Sequence, residues 1–129
     1  MKYYIEKTLN ADFETAILNV KEALKKEGFG VLSEIDIQEK LNEKLDVDFR
    51  KYTILGACNP PFALKALKAE DKIGVFLPCN VIVEEHENGE VEVSAVDPIA
   101  SMISVQNESL APIADEIQQK MKKVIENLG

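Results

Sequence analysis

The sequence predicts an α+β fold, an antiparallel sheet of about five strands with two long helices packed on one face. Two observations carry that expectation. Apolar residues recur at helical spacing near the start (Phe13, Ala16, Ile17, Val20, Leu24) and near the end (Leu110, Ile113, Ala114, Ile117, Met121, Val124, Ile125, Leu128), giving each segment one buried stripe. Between them lie short strand-like runs in mostly hairpin-like order, the clearest being residues 80–86 and 90–96 around Glu87-Asn88-Gly89.

Residues 2–8 read as a first strand. Asn10 or Asp12 caps the first helix, and Gly28 supplies its left-handed stop. Val31 to Ile35 reads as a second strand. Asp36 and Glu39 then stand at capping-box spacing before a short helix with Ile37, Leu41 and Leu45 inward. Residues 50–57 form a third strand, broken by Asn59-Pro60-Pro61, and Phe62 to Lys68 suits a short helix because proline is tolerated in a first turn. Ile73 to Phe76 reads as a fourth strand.

Two registers compete in the hairpin. A two-residue Asn-Gly turn sets Glu85 opposite Glu92 and puts Ile82, Glu84 and His86 beside Val91, Val93 and Ala95. A three-residue turn with Gly89 in a bulge instead pairs Val81 with Ala95 and Val83 with Val93. Register follows the buried face, which selects the second. It also sets Cys79 opposite Asp97. Asp97-Pro98 then has the cap-then-proline form of a helix start and opens a short helical stretch ending near Ser104.

The 129 residues fit a single domain, 1–129, long enough to bury a core. Hydrophobic residues at 46% and charged residues at 29% describe a globular chain rather than a disordered one. With a formal net charge of −8 and no Lys/Arg cluster, neither nucleic acid nor an anionic membrane surface is an expected partner. No signal-peptide core opens the sequence, and no apolar run approaches the ~20 residues needed to cross a bilayer. A cytoplasmic protein is expected, and in that compartment the two cysteines are reduced thiols rather than a bridge.

Those two cysteines share a miniature setting. Cys58 ends Tyr52-Thr-Ile-Leu-Gly-Ala-Cys-Asn-Pro60, and Cys79 lies in Gly74-Val-Phe-Leu-Pro-Cys-Asn-Val-Ile-Val83. These stretches resemble the two signature stretches of the family called domain of unknown function 302. The early helix ending in Glu27-Gly28-Phe29, then Glu34-Ile35-Asp36, and Val96-Asp97-Pro98 after the hairpin extend the resemblance over nearly the whole chain. It implies a TATA-binding-protein-like shape, two helices laid on a curved antiparallel sheet. It carries no activity and no catalytic residue, and the shape does not imply DNA binding.

If the third and fourth strands are antiparallel neighbours, Cys58, Asn59, Cys79, Asn80 and Asp97 converge at one rim. The amides offer donors and acceptors for a small polar ligand. Cys58 precedes a helix N-terminus, which favours a thiolate, whereas Asp97 disfavours one at Cys79. The plainer reading makes Cys58 a small buried apolar group and the asparagines turn and cap residues. No metal site is expected. His86, the one histidine, lies more than ~20 Å along an extended strand from Cys79 and reads as a solvated turn residue, with Glu84-Glu85-His86-Glu87 a solvated tip. Three functions remain: a domain binding or sensing a small ligand at the cysteine rim, an enzyme or redox protein using Cys58, and a homodimeric interaction module using the sheet's edge or open face. The sequence specifies no cofactor.

Overall fold

A computed structural model describes residues 2–129. Five antiparallel strands form one open sheet in the order β1-β5-β4-β3-β2. The chain runs β1 (Tyr4–Leu9), α1 (Phe13–Lys26), β2 (Gly30–Asp36), α2 (Ile37–Leu45), β3 (Tyr52–Cys58) and α3 (Pro60–Ala69). It continues through β4 (Cys79–Glu85), β5 (Val91–Val96), α4 (Pro98–Met102) and α5 (Ala111–Glu126). The α+β class and the helices packed on the sheet are as the sequence predicts.

Local chemistry sets the boundaries. The Asp12 carboxylate accepts the Thr15 N–H at 2.7 Å and caps α1, and that bond pulls its pKa down. At the other end Gly28, at φ +85°, lets the Phe29 N–H fold back to the Leu24 carbonyl. Asp36 caps α2 through the Glu39 N–H at 3.0 Å. The β4–β5 turn takes the selected register, pairing Val81 with Ala95 and Val83 with Val93, with Gly89 at φ +87°.

Two expectations fail locally. Ile73 to Phe76 is not a strand but part of a 3-10 helix, Asp71–Phe76, in which Ile73 is the buried residue. The sheet's fourth strand is the first arm of the hairpin, so the short apolar run is free to turn its isoleucine into a core rather than extend an edge. In α2, Ile37 and Leu41 are only partly buried and Leu45 is 65% exposed, so that helix buries no stripe. It is tied down at its N-terminal end, where Asp36 caps it and Gln38 donates to the Phe49 carbonyl at 2.9 Å.

The main core is one-sided. Leu55, Ala57, Cys79, Val81, Val83, Val91, Val93 and Ala95 on one face of the sheet pack with Phe13, Ala16, Val20 and Leu24 of α1 and with Ile117, Met121, Val124 and Ile125 of α5. A smaller cluster joins Ala66, Ile73, Met102, Leu110 and Ala114 beside the sheet. Lys7 lies on the helix side of β1, and its ammonium reaches the Glu126 carbonyl at 3.2 Å and the Leu128 carbonyl, closing the C-terminal end of α5.

The last helix therefore anchors the fold. Met121 is wholly buried between α1 and the sheet, so Met121→Ala should cost about 2–5 kcal/mol in a urea titration. A loss below ~1 kcal/mol would mean that α5 is a loosely attached layer.

Candidate functional site

Period-two alternation gives the sheet two unlike faces. On β4, Cys79, Val81 and Val83 point to the helices while Asn80, Ile82 and Glu84 point the other way. The two cysteine-asparagine pairs therefore do not line one shared site.

Cys58, Asn59 and Cys79 do come together, on the helix side. β3 and β4 are antiparallel neighbours, with Ala57 opposite Cys79 and Cys58 next in the strand. The three residues line a pocket with Phe29, Phe62 and Ile117. Its volume is about 30 Å³, room for a water or two but not for an organic ligand. Both thiols are free, Cys58 half-buried and Cys79 buried. Burial pushes the Cys79 thiol up to about 11, and Cys58 beside it adds to the rise.

Asn59 occupies the N-cap position of α3 without capping it. Its amide turns back and donates to the Glu27 carbonyl at 3.2 Å, tying β3 to the end of α1. Asp97 is likewise committed to structure. It accepts the Ile99 N–H at 3.0 Å and both its oxygens lie 3.1 Å from Gln118 Nε2, linking α4 to α5. The β4–β5 pairing ends at Val81 opposite Ala95, short of Cys79 and Asp97. The expected influence of Asp97 on Cys79 is thus replaced by burial and the second thiol.

The other face carries a different set of groups. A groove of about 410 Å³ is lined by Tyr3, Tyr4 and Glu6, by Tyr52, Asn80, Ile82 and Glu84, and by Glu92, Ser94 and Val96. Glu84, expected at a solvated tip, is 7% exposed. It is held by Arg50, whose Nε and Nη2 lie 3.1 and 3.0 Å from Oε1. The guanidinium stacks on Phe49 and Tyr52, with centroids 4.6 and 5.4 Å away. Burial, and secondarily the Glu84 charge, raises the Tyr52 phenol, keeping it a neutral hydrogen-bonding group. His86 turns its ring toward Glu92, Nε2 to Oε1 3.5 Å.

The sequence held a signal for this face. The selected register puts Glu84 opposite Glu92, and His86 follows Glu84 by two residues, hence on the same side. A larger concavity, about 650 Å³, lies between α4 and α5. Its Asn107 is already spent on the Ser109 N–H, the Ala69 carbonyl and Glu70.

Comparison with known proteins agrees with the fold. The family model described as "Domain of unknown function DUF302" matches residues 5–128. The crystal structure of an uncharacterised conserved DUF302 protein from Bacillus stearothermophilus superposes with a TM-score of 0.93 at 29% identity, over 100% of both chains. An uncharacterised protein of Aquifex aeolicus (strain VF5) is 26% identical over 114 residues, 88% of this chain and 72% of that one. No helix among the described residues is long and apolar enough to cross a membrane.

The cysteines differ enough to test. At neutral pH a small alkylating reagent should label Cys58 well before Cys79, and Asp97→Asn should leave the Cys79 rate unchanged, both read by mass spectrometry against denatured controls. Labelling of Cys79 first would mean that the rim opens in solution.

Stability at high pH tests the same burial. The folded chain holds the Cys79 proton to about pH 11, whereas an unfolded thiol releases it near 9.0. Over that window the unfolded state binds fewer protons, so stability falls as pH rises. Between pH 9 and 11 the native chain should lose about 2 kcal/mol more than Cys79→Ala. Parallel urea titrations with equal slopes against pH would contradict a buried, protonated thiol.

Proposed function

We propose that this chain, which belongs to the DUF302 family, is a small-ligand-binding domain whose site is the groove on the helix-free side of the β4–β5 pair. One observation carries the reading: three tyrosines, an amide, a hydroxyl and carboxylates converge on a concave surface of about 410 Å³. That volume lies in the range of small-molecule sites, which combine aromatic walls with a few placed polar groups. Of the residues expected from the sequence, Asn80 belongs to this site and supplies its amide. Cys58, Asn59, Cys79 and Asp97 frame the fold behind it.

The character of the groove narrows the ligand. Glu6, Glu84 and Glu92 give it an acidic floor, and the chain's own cations already stack on its rings: Lys2 lies 4.9 Å from the Tyr4 centroid, and Arg50 covers Tyr52. Such a surface favours a small molecule with a positive or hydrogen-bond-donating group and a flat apolar part. A reaction dependent on Cys58 receives less support. The one histidine, the base such a thiol would need, lies past the end of β4 opposite to Cys79, and Cys58 lies beside Cys79.

An NMR-detected screen of small amines and aromatic fragments tests the proposal. Shifts should cluster on the amides of Tyr52, Asn80, Ile82, Glu92 and Ser94, and Tyr52→Ala should weaken binding about tenfold or more, the scale of a lost aromatic contact. Shifts clustered on Phe29, Cys58 and Phe62 would return the site to the cysteine rim.

A further inference from the structure

At the hairpin end of the groove the sheet brings together three metal-ligating side chains. Glu84 and Glu92 stand directly opposite across β4 and β5. His86 follows just beyond the end of β4, and one ligand atom from each of the three lies within 4.8 Å of the others. Like charges directly opposite on a sheet destabilise it. Arg50 offsets that for Glu84, and both its contacts fall on one oxygen, Oε1. Glu92 has His86 for its ion-pair partner, which is charged only when protonated.

We propose that Glu84, His86 and Glu92 bind a divalent transition-metal ion, with zinc the reference ion. The donor chemistry selects the class. One imidazole nitrogen with two carboxylate oxygens suits zinc, manganese or iron, whereas calcium and magnesium favour oxygen-only shells. Bonds of ~2.1 Å require ligand atoms roughly 3–3.5 Å apart, so the 4.8 Å outer limit must close on binding. His86 and Glu92 have the freedom to close it, with side chains 39% and 25% exposed. Glu84 is the fixed ligand, oriented by Arg50 as an outer-shell partner.

Three protein ligands leave coordination positions vacant. Because Glu84 and Glu92 also line the groove, those positions face a small ligand lying there. This last step rests on the groove being the binding site. The metal site itself does not, since its ligands and their separation stand alone.

The probe is zinc added to chelator-treated, full-length protein, followed by titration calorimetry and thermal melts. One zinc per chain is expected, with a melting shift of several degrees. His86→Ala and Glu92→Gln should each weaken zinc binding at least tenfold, while Cys58→Ser leaves it unchanged. Circular dichroism establishes that the variants fold, and affinity is the quantity compared. Absence of saturable binding, or binding that survives His86→Ala and is lost in Cys58→Ser, overturns the proposal. The two readings also separate. Zinc binding lost in His86→Ala, with fragments failing to perturb the groove, would sustain the metal site and refute the groove. Fragment binding without zinc binding would do the reverse.

Discussion

The alternation across the β4–β5 pair is the constraint from which the rest of the molecule takes its order. Val81, Val83, Val91 and Val93 are buried on the helix side of that pair, each contributing roughly 1.5–3 kcal/mol relative to exposure. A slip of one residue would move the whole set to the other face. The turn holds the register mechanically: the His86 N–H bonds to the Glu90 carbonyl at 2.8 Å and the Gly89 N–H to the His86 carbonyl at 2.9 Å. Once the valines are fixed inward, Asn80, Ile82, Glu84, Glu92 and Ser94 must face outward together. The groove is thus a consequence of the core pattern and requires no separate folding signal.

The two cysteine-asparagine repeats diverge for the same reason. In β3 the asparagine follows the strand and turns toward α1, where Gly28 allows close approach; a Cβ there would lie 3.2 Å from Asn59 Nδ2. In β4 the asparagine is inside the strand and alternation sends it to the open face. Gly56, opposite Asn80, meets a related crowding, since an added Cβ would approach the Pro78 ring to 2.9 Å. Identical dipeptides acquire different duties because one sits past a strand end and the other within the ladder.

Much of the fold was legible in the sequence because its signals are periodic and local. The stripe from Leu110 to Leu128 gave α5, Asp12 and Gly28 gave the ends of α1, and valine pairing gave the hairpin register. The Ile73 to Phe76 run reads as a strand because three apolar residues around Gly74 fit either a strand or a turn packed against a neighbour, and Met102 and Leu110 supply that neighbour from far along the chain. The site was less legible. Proximity of Cys58 and Cys79 followed from antiparallel pairing, but that Phe29, Phe62 and Ile117 would fill the space around them depends on tertiary packing. Arg50 is the clearest omission: nothing in a single sequence pairs it with Glu84, thirty-four residues away.

That pair also bears on why the open face differs from an ordinary solvated one. A solvated strand face needs only polar side chains, and threonine or lysine opposite Glu92 would avoid like-charge repulsion. Here a carboxylate that is 7% exposed is placed opposite a second carboxylate and is paired with a guanidinium that is itself ordered over Phe49 and Tyr52. Breaking such a pair by removing Arg50 would leave a buried charge uncompensated, so the arrangement adds a vulnerability that the core does not require. Tyr52 is drawn into the same assembly, and its phenol is kept neutral beside the charges. Folding alone gives no reason to concentrate these groups on the face where no core cluster forms. The proposed ligand-binding role would supply one, because recognition depends on groups that are fixed before a ligand arrives.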